Sequence, residues 1–422
     1  MGGCLLCRKQ TQLPDKIDKT RNNNNKNQNN QSNTDKLMSK SSTTTISSPE
    51  MPQLPSVTMD DFQPLKFLGK GSFGKVILVK YFKNNKTYAM KILKKEEIIR
   101  RKQIKHTKTE RLLLEKLNHP FIAQLQFAFQ DEKKLYFVTE FLQGGELYFH
   151  LRRNKNFKEN SVKFYASQIF LAIDYMHKNG YIYRDLKLEN ILMDKDGYIK
   201  LTDFGLSKMI MNDMNIELKN TVCGTLEYMA PEMIKGDAYD KNVDWYSFGI
   251  VLYEMICGDF PFKLKNRKIE GSIYDEKIEF PETMSEEAKD IISKLLVVDP
   301  EKRLGYNNSD DIKNSLFFQN IDFDKMYKKE YRPPFRPKLY GELDLKYFDL
   351  NCTENNEELY DDDLINNNNN NQNGDNNNEN KDNNANENEK ALLTKFEGFS
   401  YYKEEKDKLN NEEDEDDDDD FY

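Results

Sequence analysis

Apolar residues are spread so unevenly along this chain that only one stretch of it can build a core. From Phe62 to about Phe318 they recur densely, punctuated by Gly and Asp, and that stretch holds the single tryptophan, Trp245, and most of the other aromatics. Residues 1–61 are instead rich in Asn, Ser, Thr and Lys, with runs such as Asn22 to Asn25, and cannot bury enough apolar surface to offset the entropy of ordering them. An acid- and Asn-rich tract from about Cys352 to Asn388 has the same defect, although an apolar island, Ala391 to Tyr402, follows it. The expected organisation is a disordered segment over 1–61, a folded body over 62–318, a tail with an Asn-rich insert over 319–402, and a disordered acidic end over 403–422.

The net charge of −9 belongs to that end. Glu412 to Asp420 is nine consecutive acids, and without them the chain balances to zero. An acidic fold and a generally basic nucleic-acid binder are both excluded. The five cysteines, Cys4, Cys7, Cys223, Cys257 and Cys352, are too sparse for a disulfide scaffold or a Cys-rich zinc module, which points to a reducing, cytoplasmic setting. There is no apolar run of about 18 residues and no secretory core, so any membrane attachment would not be a span.

Within the body, Leu65 to Leu68, Val76 to Tyr81, Tyr88 to Ile92 and Leu135 to Glu140 read as strands from their β-branched and aromatic content. A charged stretch from about Ile98 to Leu117, with Ile104, Leu112, Leu113, Leu114 and Leu117 at helical spacing, predicts one helix among them. The second half is mostly helical, over Ser161 to Asn179, Val243 to Cys257 and Ser285 to Leu296, with short strands at Ile191 to Met193 and Ile199 to Leu201. Two lobes of different class follow: one small and strand-rich, one large and helical.

Gly69, Gly71 and Gly74, followed by Val76, form a Gly-x-Gly-x-x-Gly-x-Val stretch between two expected strands. Without Cβ atoms such positions let backbone N–H groups approach a polyphosphate. A hairpin turn or a dinucleotide fold can show the same pattern, but a dinucleotide site needs the glycines to open a helix; Lys75 to Tyr81 reads as a strand, so a flap over phosphates fits better. Lys91, at the end of a strand, could reach phosphate oxygens or stand as a solvated charge, and Glu110 could pair with it. Two further strings decide the matter: Tyr183-Arg184-Asp185-Leu186-Lys187-Leu188-Glu189-Asn190 and Asp203-Phe204-Gly205. Phosphoryl transfer needs a carboxylate to orient a hydroxyl, a cation near the moving group and oxygen ligands for Mg²⁺. Asp185, Lys187, and Asn190 with Asp203 are the residue types for these tasks.

This set resembles the eukaryotic protein kinases, and within them the AGC group, which takes in the cyclic-nucleotide-dependent, protein kinase C and Akt-like enzymes. The resemblance implies a kinase domain over 62–318 with the bilobal α+β fold, and the group's C-terminal tail over 319–402. It implies that Leu68, Gly69, Lys70, Gly71, Ser72, Phe73, Gly74, Lys75 and Val76 cover ATP, that Lys91 contacts its α- and β-phosphates, and that Glu110 pairs with Lys91. Asp185 would be the base, Lys187 would steady the γ-phosphate, and Asn190 and Asp203 would hold Mg²⁺. Adenine would lie between Val76 with Ala89 and Leu192, bonded to the backbone of Glu140 and Leu142, with Thr139 at the gatekeeper position. Lys187 two residues after the Asp is the serine/threonine form. Tyr183 replaces the commoner His of this loop and carries no proton in the mechanism. Glu232 of Ala230-Pro231-Glu232 would pair with Arg303, and Asp244 would brace the catalytic loop.

By the same resemblance Glu146, Glu189, Glu227 and Glu254 match acidic positions that read Arg upstream of the target Ser or Thr, where a carboxylate favours the bidentate guanidinium over Lys. Protein substrates with basic motifs are the expected partners, and a monomer the expected state. Thr221 aligns with the activation-loop phosphosite of an upstream kinase, with Arg184, Lys208 and His106 as its cations. Phe396-Glu397-Gly398-Phe399-Ser400-Tyr401 resembles the group's hydrophobic motif, with Ser400 phosphorylated. The linker from Asp349 to Phe396 spans about 35–40 Å r.m.s., enough to reach the small lobe. One departure is the missing middle phosphosite, since no Pro follows Pro337.

At the N-terminus Gly2 could be myristoylated and Cys4 or Cys7 palmitoylated, giving membrane association, although Leu6 stands where Ser or Thr is usual; an unmodified terminus is the alternative. A pseudokinase-like signalling scaffold is the rival for the whole chain, and would be marked by loss of Lys91, Asp185 or Asp203, all of which are present. A second rival makes the Asn-rich and acidic segments the functional part.

Overall fold

The computed structural model describes residues 57–71, 74–209, 224–262, 277–348 and 394–403, all within one unit. Ser72, Phe73, Thr221, Gly2, Cys4 and Cys7 lie outside them.

Three strands open the small lobe: β1 (Phe62–Gly71), β2 (Gly74–Tyr81) and β3 (Thr87–Lys94). They pair antiparallel, and Gly71 opposite Gly74 closes the first hairpin. The glycine at 74 is a packing requirement, because a Cβ there would sit 1.8 Å from the Ile92 carbonyl oxygen. The single helix expected over about 98–117 is two: α1 (Lys95–Arg100) and α2 (Ile104–Lys116). Nothing in that charged, Gly- and Pro-free stretch forbids continuity. The break is made by Lys102 at φ 55°, which lets Ile98 bury on one side while α2 restarts on another course. The buried face of α2 runs through Thr107, Glu110, Arg111 and Leu114, and Leu112, placed on that face by its spacing, is exposed.

Strands β4 (Leu125–Gln130) and β5 (Lys134–Glu140) complete the sheet contributed by this part of the chain. One of its faces packs through Ala128, Leu135 and Phe137 on Leu113 and Leu114 of α2. The other is an aromatic face of Phe62, Tyr81, Tyr88, Phe127, Phe129 and Tyr136.

The large lobe runs from β6 (Gly145–Glu146), α3 (Leu147–Asn154) and α4 (Glu159–Lys178) through four short strands, β7 (Tyr181–Ile182), β8 (Ile191–Met193), β9 (Ile199–Leu201) and β10 (Lys208–Met209). Then come α5 (Pro231–Lys235), α6 (Asn242–Cys257), α7 (Glu286–Leu295), α8 (Asp310–Lys313) and α9 (Phe323–Tyr327). Helix α6 is buried on nearly every side, as expected of a central helix apolar all round, and stops at Gly258 in the left-handed conformation. Residues 328–348 strap back toward β6, where Gln143 donates to the Gly341 and Asp344 carbonyls. The last strand, β11 (Tyr401–Tyr402), returns to the small lobe and adds to β4, giving the order β1-β2-β3-β5-β4-β11.

Candidate active site

The loop between β7 and β8 is held in a conformation it would not choose alone. Arg184 sits at φ 68° and, beyond β9, Asp203 at φ 53°, a region that costs a non-glycine residue on the order of 1–3 kcal/mol. The fully buried carboxylate of Asp244, in the first turn of α6, compensates by accepting from the backbone N–H of Tyr183 (2.9 Å) and of Arg184 (2.8 Å), with His177 Nε2 at 2.8 Å. Arg184 adds bonds from Nε to the Leu206 carbonyl (2.6 Å) and from Nη1 to the Tyr239 hydroxyl (2.9 Å). The Tyr183 hydroxyl donates to the Thr202 carbonyl, and its ring meets Phe204 edge-on at 5.4 Å. These bonds tie the two strings into one frame.

The frame presents Asp185. Its Oδ2 accepts from Lys187 Nζ (2.7 Å) and Asn190 Nδ2 (2.8 Å), while Oδ1 lies on the side of Gly224. Lys187 also donates to the Thr225 hydroxyl at 3.1 Å. Burial works against its charge, but Asp185 beside it holds the ammonium above the usual lysine range.

Across the cleft Lys91 on β3 donates to Glu110 Oε1 from α2 at 2.8 Å and to Asp203 Oδ1 at 3.2 Å. Burial alone would lower the Lys91 pKa, and the carboxylates of Asp203 and Glu110 more than offset it, so the ammonium is raised. Glu110 is raised by burial, and Asp203 is lowered, chiefly by Lys91. Asp203 keeps 46% of its side chain exposed, and Asn190 donates through Nδ2 to the Asp185 side chain and backbone, which makes its Oδ1 the atom that would ligate. Among the described residues no cluster of three or more His, Cys, Asp or Glu could hold a metal unaided. Two oxygen ligands completed by phosphate oxygens are what Mg²⁺ ordinarily takes, so the donor set fits that ion.

Above the cleft Leu68 and Leu78 form an apolar patch with Val76 and Ala89. Thr139 stands opposite Ala89 across β3 and β5, Leu142 is buried, and Leu192 is half-buried on β8. Leu345 and Phe348 from the strap complete the patch, Phe348 stacking on Phe141 at 5.7 Å.

Known proteins show the same arrangement in sequence. The protein kinase domain family matches residues 62–318. The chain belongs to the protein kinase family. It is 46% identical over 296 residues to RAC-beta serine/threonine-protein kinase of Homo sapiens, a match covering 69% of this chain and 61% of that protein. It is 44% identical over 298 residues to RAC-beta serine/threonine-protein kinase A of Xenopus laevis, covering 70% and 61%. The matches thus span about 61% of the relatives' own length. A protein kinase domain implies ATP and a divalent metal.

The remaining residues singled out in this kinase domain divide by position. Glu254 and Glu189 come within electrostatic reach of each other around Tyr228, whose hydroxyl donates to Glu254 Oε2 at 2.6 Å. Glu254 is a buried carboxyl rather than an open surface anion: burial above all, with Glu189 and Asp259 adding to it, pushes its pKa up to about 8. Glu146 immediately precedes α3, makes no side-chain capping bond to it and pairs through its backbone with Leu192 across β6 and β8, and Glu227 stands exposed. Burial above all lowers the pKa of His106 on α2, with Arg184, Lys105 and Lys208 adding to the effect. Lys70 and Lys75 flank the hairpin closed by Gly71 and Gly74. Glu140 is held by Lys200 through two bonds of 2.7 Å. Glu232 meets Arg303 through two bonds of 2.7 and 3.0 Å.

Three contributors escape a local reading of sequence: Thr225 on Lys187, Phe348 stacked on Phe141, and Arg111, whose contacts with the tail are described below. Tyr347-Phe348-Asp349 is conspicuous in the tail, but no spacing rule says where a strap crosses.

Proposed function

We propose that this chain is a serine/threonine protein kinase that transfers the γ-phosphoryl group of Mg·ATP to Ser or Thr hydroxyls in Arg-containing sequences. The observation that carries the reading is the polarity of Asp185, tied through Oδ2 to Lys187 and Asn190 with Oδ1 left toward Gly224. A carboxylate fixed at one oxygen can orient a hydroxyl with the other and accept its proton.

Bound Mg·ATP supplies the phosphoryl group together with the charge that offsets its oxygens. Asn190 and Asp203 would hold the metal, Lys91 would neutralise the α- and β-phosphates with Glu110 setting its position, and Lys187 would steady the γ-phosphate. Leu68 to Gly71 and Gly74 to Val76 would roof the nucleotide. Val76, Ala89, Leu192 and Phe348 enclose the adenine, whose edge meets the backbone of Glu140 and Leu142, with Thr139 behind it.

Glu189 and Glu254 take an upstream arginine, with Glu146 and Glu227 as further acidic positions. Thr221, acted on by an upstream kinase, receives Arg184, Lys208 and His106, a cluster whose mutual repulsion a phosphate relieves. Ser400 is the second modified position. A scaffold without turnover is the weaker reading, because every group it would have lost is present and bonded.

The test is incorporation of phosphate from Mg·ATP into an arrayed Ser/Thr peptide library by protein verified as phosphorylated on Thr221, with Asp185→Asn as control. Arg-dependent incorporation that vanishes in the control is expected. Incorporation no greater than the control would overturn the reading.

A further inference from the structure

The segment 394–403 grips the small lobe with contacts that ask nothing of the Ser400 side chain, which is exposed. Phe396 and Phe399 are buried, Phe399 edge-on to Phe137 at 5.1 Å, and Gln130 Nε2 donates to the Phe396 carbonyl at 3.0 Å. Arg111 bonds through Nε to the Phe399 carbonyl and through Nη2 to the Ser400 carbonyl, both at 2.9 Å, and through Nη1 to Glu115. Its guanidinium also lies over the Tyr401 ring at 5.3 Å.

Past Ser400 the chain becomes a strand. Tyr401 pairs with Ala128 and Tyr402 with Phe127, and Lys403 N donates to the Gln126 carbonyl at 2.9 Å. Successive strand residues point to opposite faces, so Tyr401 packs on the α2 side of the sheet and Tyr402 on the aromatic side, its ring 5.4 Å from Phe127. Lys403 Nζ donates to Gln124 Oε1 at 2.9 Å. The sheet is thus held at both faces and along its edge.

We propose that Tyr401, Tyr402 and Lys403, with Arg111, form a clasp that seats the tail on the small lobe without a phosphate on Ser400. Strand addition draws on main-chain hydrogen bonds, with side-chain pockets adding selectivity, and both are complete here. Each nitrogen of Arg111 already has a partner among backbone carbonyls and Glu115, so a phosphate on Ser400 is added to a tail already in place. This extends the proposed kinase function only in taking Ser400 as a modified position; the clasp itself does not depend on catalysis.

Hydrogen exchange by mass spectrometry on the full chain tests it, using phosphatase-treated Asp185→Asn protein so that no self-phosphorylation enters. Amides of 394–403 should exchange at least about tenfold more slowly than in the free peptide, and Ser400→Ala should change this by less than about twofold. Tyr402→Ser and Lys403→Pro, which deletes the N–H that bonds Gln126, should each abolish most of the protection; Lys403→Ala, which keeps that N–H, should cost less. Protection that appears only once Ser400 is phosphorylated, or that survives both Tyr402→Ser and Lys403→Pro, would overturn the clasp. The kinase reading stands or falls separately, in the peptide assay.

Discussion

Two of the ion pairs in this molecule, one in each lobe, are built to opposite specifications. Arg303 and Glu232 are side chains 0% and 7% exposed, joined by two bonds, with Arg303 also donating to the carbonyls of Asn242 and Val297. Lys91 and Glu110 share one bond, Lys91 is 29% exposed, and Asp203 competes for the same ammonium. In the first pair every guanidinium nitrogen is bonded to a fixed acceptor. The second is a shared charge with room for another anion. A buried pair can therefore be a fastening or a socket, and the count of bonds on each partner tells which.

Breaking the fastening should have the largest effect. Removing one member of a fully buried pair costs roughly 3–5 kcal/mol because the other charge is stranded. Arg303→Ala should accordingly lower Tm by on the order of 10 °C, read by calorimetry. At the socket, Lys91→Met should cut kcat/KM by about 10²–10³, the scale of a lost transition-state donor. Its Tm should move by less than about 4 °C, because burial already favours a protonated Glu110 once its cation is gone. Equal Tm losses in the two variants would erase the distinction. Glu110→Gln is gentler, since the amide still accepts from Lys91: a loss of roughly 10–100-fold in kcat/KM, the value of one charged hydrogen bond.

The smallest effect sharpens the comparison at a third buried carboxyl. Among the described residues Glu254 has no ion-pair partner, only the Tyr228 hydroxyl as a bonded neighbour, with Glu189, Asp259 and Arg152 in its field, and burial pushes its pKa up to about 8. A raised acid is neutral below its folded pKa, so an arginine finds its anionic partner only as pH climbs through that value. KM for Arg-containing peptides should fall a few-fold, and by no more than about tenfold per pH unit, as pH rises from roughly 7 to 9. Glu254→Gln should flatten the profile, and a peptide lacking Arg should not show it.

What could be read from the chain beforehand follows from how local the signal is. Asp185, Asn190 and Asp203 stand in contiguous strings and Lys91 lies on an apolar strand, in the middle of β3 rather than at the end expected for it, so the centre of the site was legible residue by residue. Strands β2, β3 and β5 fell where their apolar content put them. The break between α1 and α2 was not legible, because Lys102 takes a left-handed turn that its own composition does not request; the burial of Ile98 imposes it. Leu112 was misplaced with it. Strand β4 carries alternating apolar residues in Leu125–Gln130 and forms a hairpin with the neighbouring β5, so it was as legible as the other strands although it was not among those expected. Phe348, Thr225 and Arg111 act through contacts with residues far along the chain, which periodicity and spacing do not encode.

The position of β11 has a consequence for the solution behaviour of the small lobe. Every strand of a sheet but the outermost has both of its backbone edges answered, and an outermost strand that is long, flat and apolar is a template for pairing with other molecules. Without the tail that strand would be β4, six residues carrying Leu125, Phe127 and Phe129. With the tail seated, the outermost strand is two residues long and followed by Lys403, the kind of short, charged border that resists growth. Residues 394–403 thus serve as a selvedge for the sheet, and a kinase body cut before them should be prone to self-association whatever becomes of its catalysis.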